Sequence, residues 1–364
     1  MVIQSIDLEN FRNYERLHLE LGEGIHIFYG DNAQGKTNIL ESVYMAATNK
    51  SHRGSKDKEM IRFGCEEGHI KVISEKRGVD YRIDMHLKSG RSKGIAVNGV
   101  PVRKTRDFLG IINCVLFSPE DLQIVKEGPQ ERRKFIDTEL CQLDKIYMNS
   151  YVQYKKALEQ RNQLLKDIPY EPSLIETMDA WDTQLLIYGK EIITRRKQFI
   201  DELRDITSPI HEHLSGGRET LHIYYEPNVL EEDFTKELLQ SRERDIKAKT
   251  TTVGPHRDDM SFMIAAREND KTIDARIYGS QGQQRTCALS LKMAEIELVK
   301  EKTDDSPVLL LDDVLSELDS NRQKYLLDSI KDTQTIITCT GLDDFVKHRF
   351  KVNNVYKVVN GKVE

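Results

Sequence analysis

The sequence predicts an α/β protein: a P-loop head with an antiparallel β subdomain, interrupted by an inserted helical lobe whose core is a short antiparallel helical hairpin. Three observations carry that expectation. A glycine-rich octet, Gly30 to Thr37, stands between a short apolar run and a helical pattern. A second apolar run, Val308 to Leu311, ends in two aspartates. Between them the chain changes from β-like alternation to long helical periodicity and back, which places the head at residues 1–118 plus 250–364 and the lobe at 119–249.

The elements follow in order. Met1 to Leu8 alternates and reads as a strand, not as a signal peptide. Leu17, Leu19 and Leu21 alternate with polar residues, Ile25 to Tyr29 is a short apolar strand, and Tyr81, Ile83, Met85 and Leu87 alternate again. Asn98-Gly99 between Ile95/Val97 and Val100/Val102 is a hairpin signal. Ile111 to Phe117 reads as a buried strand. From Gln130 to about Lys166 apolar residues recur at helical steps, Pro169 and Pro172 interrupt them, and a second helical run ends near Ser215-Gly216-Gly217. Two such helices pack as a hairpin whose apolar stripe is their mutual core. Glu219 to Tyr225 reads as a strand, Phe234 to about Lys247 as a helix, and strands alternate with helices from Thr250 onward.

Composition narrows the function classes. The chain has 364 residues, 38% hydrophobic and 31% charged, with a net charge of −6. That is a globular balance with enough apolar material for a core. No run of 18 apolar residues exists, so no membrane span and no membrane partner are expected. Five widely spaced cysteines suggest neither a disulfide framework nor a zinc site and fit the cytoplasm. His211 and His213 read as a solvated helix end. The acidic balance does not point to nucleic acid, although a local basic face suffices for it.

Gly30-Asp31-Asn32-Ala33-Gln34-Gly35-Lys36-Thr37 is G-x-x-x-x-G-K-T in its strand–loop–helix context. Such an octet arises by chance in about one chain in a hundred of this length. Its backbone N–H groups and the helix N-terminus face an anion together, which predicts ATP as ligand. Lys36 supplies charge to the β- and γ-phosphates, and Thr37 a hydroxyl to Mg²⁺. Asp312, at the end of an apolar strand, is the expected partner of Mg²⁺, and Asp313 stands where a water-activating carboxylate is needed.

Ser280-Gln281-Gly282-Gln283 opens a further helix and resembles the ABC signature, Ser-x-Gly-Gln, although a polar helix cap explains the tetrad equally well. The order of elements favours the ABC-type ATPase: P-loop, insertion, signature, apolar strand with two Asp, and then Ser316-Glu317-Leu318-Asp319, which resembles a D-loop. In that reading Ser280, Gly282 and Gln283 bind the nucleotide of a second copy, and Ser316 and Asp319 lie at the dimer interface. Thr340 stands where many ABC ATPases carry a histidine, and Asp313 is one methylene shorter than the usual glutamate. Both predict slow hydrolysis.

Several stretches resemble the RecF family. They are Leu8-Glu9-Asn10-Phe11-Arg12-Asn13-Tyr14, then Asp31 through Asn38 to Glu41, Pro119-Glu120-Asp121-Leu122, and Gly128-Pro129 with Arg132-Arg133-Lys134-Phe135-Ile136-Asp137. Gly254-Pro255-His256-Arg257-Asp258-Asp259 and Leu315 to Asp319 continue the likeness, which runs over residues 1–345. Glu127 departs from it, standing where the pattern has glycine. The resemblance implies that Arg12 reaches the nucleotide phosphates and that Asn38 belongs to the nucleotide site. It also implies an ATP-dependent homodimer on double-stranded and gapped DNA, working with RecR (and RecO indirectly) in DNA repair, replication and the SOS response.

The alternatives are an SMC-like structural clamp, which needs far longer heptad runs, a transporter's ATPase subunit, which lacks the Asn-Phe-Arg entry, and a small-molecule kinase, which the signature disfavours. Basic runs at Lys50/Arg53/Lys56/Lys58, Arg103/Lys104/Arg106, Arg132/Arg133/Lys134 and Arg195/Arg196/Lys197 are candidate DNA contacts or merely solvated faces. Gln123 is a candidate Mg²⁺-sensing glutamine. His256 and Arg257 read more as braces of their turn than as site residues.

Overall fold

The computed structural model describes residues 1–266, 272–341 and 352–364. The end of the stretch over which the family resemblance runs, 342–345, lies outside them. Contacts divide the chain into two units, Met1–Asp121 with Glu295–Glu364, and Leu122–Ala294. The second unit ends later than the expected 249/250 because β9 (Glu219–Glu226) pairs along its whole length with β10 (Asp259–Ala266), which in turn pairs with β11 (Thr272–Asp274). The residues after 250 are thereby tied to the lobe.

The first unit holds two sheets. Strands β1 (Val2–Phe11), β2 (Tyr14–Glu20), β4 (Glu67–Lys76), β5 (Val79–Lys88), β6 (Gly94–Val97) and β7 (Val100–Pro101) form an antiparallel sheet in the order β2-β1-β4-β5-β6-β7. The second sheet runs β15-β14-β3-β13-β12-β8, from β3 (Ile25–Tyr29), β8 (Cys114–Phe117), β12 (Val308–Asp312), β13 (Thr335–Cys339), β14 (Val352–Val359) and β15 (Lys362–Val363). Its neighbours from β14 through β8 are parallel. All five residues of β12 are buried, as a strand covered on both faces requires. β13 separates β3 from β12, so the loops leaving these two strands open on the same edge. Gln334 couples the sheets: its amide accepts from Ile3 N–H at 2.7 Å and donates to the carbonyls of Ile3 and Gly22, each at 2.8 Å.

β4 was not legible in the sequence. Its inward residues are Gly68, Ile70, Val72 and Ser74, so two of the four carry no apolar side chain. The buried strand expected from Ile111 begins only at Cys114. The Asn98-Gly99 hairpin forms as expected, with positive φ at both residues, and Asn360-Gly361 repeats that geometry between β14 and β15.

In the second unit the first helical run is two helices, Pro129–Leu143 and Lys145–Asp167. They are broken at Asp144, which takes an extended conformation and accepts from the N–H groups of Ile146 and Tyr147. The Lys145–Asp167 helix packs on the 37-residue helix Met178–Leu214, which ends where Gly216 and Gly217 take positive φ. The expected helix from Phe234 is also two, Phe234–Gln240 and Arg242–Ala248. His211 is not solvated: its side chain is fully buried, with Nδ1 3.2 Å from Ser290 Oγ.

Buried charge organises this unit. Arg161 pairs with Asp182 and Asp245, and Arg196 with Asp137 at 2.6 Å and Asp258 at 2.9 Å. Arg132 pairs with Asp259. Two of the four basic runs thus place an arginine inside the protein, where unpaired carboxylates demand it. Arg195 is held by Glu191 and Asp144.

His256 braces its turn. Nε2 lies 3.0 Å from the Thr251 carbonyl, which can only accept, so Nε2 carries the proton and Nδ1 accepts from the Tyr154 hydroxyl at 2.8 Å. Arg257 donates to the same carbonyl. Burial pushes the His256 imidazole down from 6.5 to about 4. The unfolded chain therefore takes up this proton first on acidification. The stability contribution is complete above pH 6.5 and is lost as pH falls from there to about 4, by about 3 kcal/mol in all. Denaturant titrations at pH 7 and pH 5 should show wild type losing about 2 kcal/mol more than His256→Gln over that interval. Equal losses would contradict the neutral, buried assignment.

Candidate nucleotide site

The octet links β3 to the helix Lys36–Thr48. Two of its glycines are required by their surroundings. A Cβ on Gly30 would meet the Val358 carbonyl at 2.4 Å, and one on Gly35, at φ 116°, would meet the Asn13 side chain at 2.6 Å. Neighbouring chain holds the loop largely through its carbonyls. Asn13 Nδ2 and Gly361 N–H donate to the Gln34 carbonyl at 2.8 and 3.1 Å. The Tyr14 hydroxyl donates to the Gly35 carbonyl at 3.1 Å. Asn38 Nδ2 donates to Asn13 Oδ1, and Asn360 N–H to the Gln34 side chain. The Lys36 ammonium donates to the carbonyls of Gly30 and Asp31 at 2.7 and 2.9 Å. Asp31, Asn32 and Ala33 are exposed, with Ala33 at φ 64°. An anion at the helix N-terminus meets the loop's donors with no need to break the braces from Asn13, Tyr14 and Gly361; only the Lys36 ammonium has to leave its carbonyls to reach it.

Thr37 Oγ1 donates to Asp312 Oδ1 at 2.7 Å, and Thr338 Oγ1 donates to the same oxygen at 2.7 Å. Hydroxyl and carboxylate oxygens in direct contact are a donor set that fits Mg²⁺, a hard cation. Asp313 follows at φ 54°, its N–H 3.1 Å from Thr338 Oγ1. Left-handed backbone at a non-glycine residue stores strain, and aspartate tolerates it better than most. Burial raises the Asp313 carboxyl above its ordinary range, with Asp312 adding to the rise and Lys36 opposing it. Ser316 Oγ donates to the Asp313 carbonyl at 2.8 Å, and Asp319 caps the helix Ser320–Ser329 through the N–H groups of Asn321 and Arg322.

Arg12 is anchored on the helix that the loop opens. Nε and Nη2 grip both oxygens of Glu41 at 2.8 and 2.7 Å, Nη2 also reaches Ser55 Oγ, and Nη1 donates to the Glu59 carbonyl. The cause is electrostatic. The Glu41 side chain is wholly buried, and burial alone works against its ionisation. The hydrogen bonds from Arg12 and Ser51 outweigh burial and hold the carboxyl below its ordinary range.

In the second unit, Ser280 and Gln283 cap the helix Gln281–Thr303 reciprocally. Ser280 N–H donates to Gln283 Oε1 at 2.8 Å, and Gln283 N–H to Ser280 Oγ at 3.2 Å. Gln283 Nε2 reaches Glu219 at 2.8 Å. The tetrad with Gly282 is therefore a capping box, a local role that leaves the hydroxyl at the head of a 23-residue helix. Gln123 is exposed in the short helix Leu122–Lys126. The sequence reading missed His52. Its side chain is 5% exposed, Nε2 lies 4.0 Å from Asp312 Oδ2, and its ring meets Tyr44 edge-on. Nothing in its local sequence sets it apart from the basic run around it.

Residues 2–364 match the model of the RecF/RecN/SMC N-terminal domain. The chain is 59% identical to the DNA replication and repair protein RecF of Agathobacter rectalis over 364 residues, covering 100% of this chain and 99% of the relative. With the RecF of Lachnospira eligens it shares 57% identity at the same coverage. A solved structure of the recombination mediator protein RecF with ATP, of the RecFOR pathway, superposes with a TM-score of 0.91 at 37% identity, covering 100% of this chain and 96% of that one. The Smc head domain of Pyrococcus furiosus superposes at 0.56 with 17% identity over 100% of this chain and 95% of that one, a likeness of fold. The head is thus an ABC-type ATPase fold.

The Arg12–Glu41 pair yields a direct test. Arg12→Ala leaves a buried carboxylate unpaired and should lower unfolding stability by about 3–5 kcal/mol with no nucleotide present. Glu41→Gln in the same chain should recover much of the loss. A single variant that melts like wild type would contradict the structural role.

Proposed function

The chain belongs to the RecF family of DNA replication and repair proteins, and on that premise we propose that it is a dimerising, DNA-binding ATPase of recombinational repair, switched by ATP. The observation that carries the reading is the Thr37–Asp312 contact at the mouth of a P-loop whose cradle is braced from behind. Gly30 to Thr37 hold the phosphates, Asn38 steadies the loop, and Lys36 turns from the carbonyls of Gly30 and Asp31 to the β- and γ-phosphates. Thr37 and Asp312 hold Mg²⁺, which supplies charge neutralisation on the phosphates when bound.

Asp313 orients a water and takes its proton. Its short side chain, and Thr340 in place of a histidine, make hydrolysis slow. Ser280, Gly282 and Gln283 bind the γ-phosphate of a second copy, for which the Ser280 hydroxyl leaves its cap on Gln283. Ser316 and Asp319 lie at the same dimer interface. Two such shared sites then lie in a two-fold dimer, and ATP in either one holds the two copies together.

The dimer binds double-stranded DNA near single-strand gaps through backbone contacts, with an affinity that falls steeply with salt. Lys50, Arg53, Lys56 and Lys58, with Arg103, Lys104 and Arg106, are exposed. The partner on gapped DNA is RecR, with RecO acting through it to load the recombinase, in the cytoplasm. Among the described residues no helix is long and apolar enough to cross a membrane.

Hydrolysis resets this switch and drives no motor. Asp313→Asn should bind ATP normally, hydrolyse it more slowly still and hold DNA longer after excess competitor is added. General-base help is typically worth about 10²–10⁴-fold, which bounds the loss. Release as fast as wild type while hydrolysis is blocked would overturn the reset.

A further inference from the structure

We propose that His52 is a working residue of the nucleotide site: its Nε2 holds a water in the coordination shell of the metal carried by Thr37 and Asp312. The inference rests on the reading of this pocket as a metal–nucleotide site. Three observations carry it.

The first is an unmet demand for hydrogen bonds. The His52 side chain is 95% buried, yet neither ring nitrogen has a hydrogen-bond partner. A histidine buried for packing alone satisfies at least one nitrogen, because an unpaired buried polar atom is costly.

The second is direction. Nε2 points towards Asp312 Oδ2 at 4.0 Å. That is too long for a hydrogen bond, and it suits one shared water, since two hydrogen bonds of about 2.8 Å meeting at one oxygen span about 4–5 Å. Thr37 and Thr338 both spend their hydroxyls on Asp312 Oδ1. The other oxygen, Oδ2, is the one that faces His52.

The third is that the ring is held in place. The loop around it is fixed on both sides, Ser51 Oγ donating to Glu41 and Arg53 N–H to Ser51 Oγ at 3.2 Å. The ring itself rests edge-on against Tyr44, with centroids 5.7 Å apart at 81°. Asp312, Glu41 and Glu120 face it with negative charge and Arg53 with positive. An imidazole so placed accepts at Nε2 a hydrogen bond from a metal-bound water, whose oxygen is committed to the metal and whose other hydrogen goes to Asp312 Oδ2. Groups that orient a metal's ligands and waters typically set affinity by 10–100-fold.

The test separates this role from packing. His52→Phe keeps the contact with Tyr44 and removes both nitrogens; His52→Asn keeps a hydrogen-bonding group in a smaller side chain. Binding of a fluorescent ATP analogue to the full chain is titrated with Mg²⁺, and again in EDTA. His52→Phe should raise the Mg²⁺ concentration for half-maximal nucleotide binding about ten-fold while leaving the affinity in EDTA unchanged, and His52→Asn should fall between it and wild type. An unchanged Mg²⁺ midpoint in His52→Phe, or a loss of equal size with and without Mg²⁺, would overturn the assignment. Wild-type protein that binds the nucleotide with no dependence on Mg²⁺ would overturn the metal-site reading itself.

Discussion

A phosphate-binding loop has to keep its own N–H groups for the ligand, and the architecture of the head follows from that constraint. A loop that may not spend its donors cannot be held as a strand or helix is held. Here it is gripped mainly by its carbonyls. The Gln34 carbonyl takes Asn13 and Gly361, the Gly35 carbonyl takes Tyr14, and Lys36 covers those of Gly30 and Asp31. Gly30 N–H, bonded to the Cys339 carbonyl at 3.3 Å, is the exception, at the point where the loop leaves its strand. The residues that do the holding come from the first turn of the chain and from its last hairpin. An entry strand paired into the antiparallel sheet and a closing hairpin on the edge of the parallel one are thus both parts of one small cradle.

The same chain meets a second constraint, the cost of burying charge. Glu41 lies in the helix that the loop opens, and Arg12 neutralises it. Asp137 and Asp258 are bridged by Arg196, and Asp182 and Asp245 by Arg161. Removing one member of such a pair costs more than the pair ever contributed, because the partner stays buried and unpaired. Arginines in the lobe that look like a nucleic-acid face in sequence are therefore partly internal, while Lys134 and Lys197 of the same runs stay exposed.

Much of this was legible in sequence, for physical reasons that differ by element. The octet and the apolar strand ending at Asp312 stand out because each joins a hydrophobic run to residues that only a ligand site needs. The order of the tetrad at Ser280 and of Ser316 to Asp319 added the rest of the candidate site. Helix breaks at Asp144 and Ser241 were hidden, since apolar spacing continues across them; Asp144 turns the chain by one extended, capping residue, and Ser241 keeps helical dihedrals. β4 was hidden by glycine and serine on its inner face. The grip of Arg12 on Glu41 was hidden because the need to neutralise Glu41 arises only when the fold buries it. His52 was missed because only tertiary packing brings its ring beside Asp312.

At the centre stands the proposal that each ATP is held by two copies, the P-loop of one and the helix cap at Ser280 of the other. Mixing two defective proteins tests it most directly. Lys36→Met spoils the loop and Ser280→Arg spoils the cap, so neither protein alone should form a dimer with ATP. In a mixed pair both lesions fall in one site, and the other site is wild type on both sides. Light scattering of the mixture should then show an ATP-dependent dimer, with one bound nucleotide per pair. A mixture that stays monomeric, or either variant dimerising alone, would contradict a site shared between two copies.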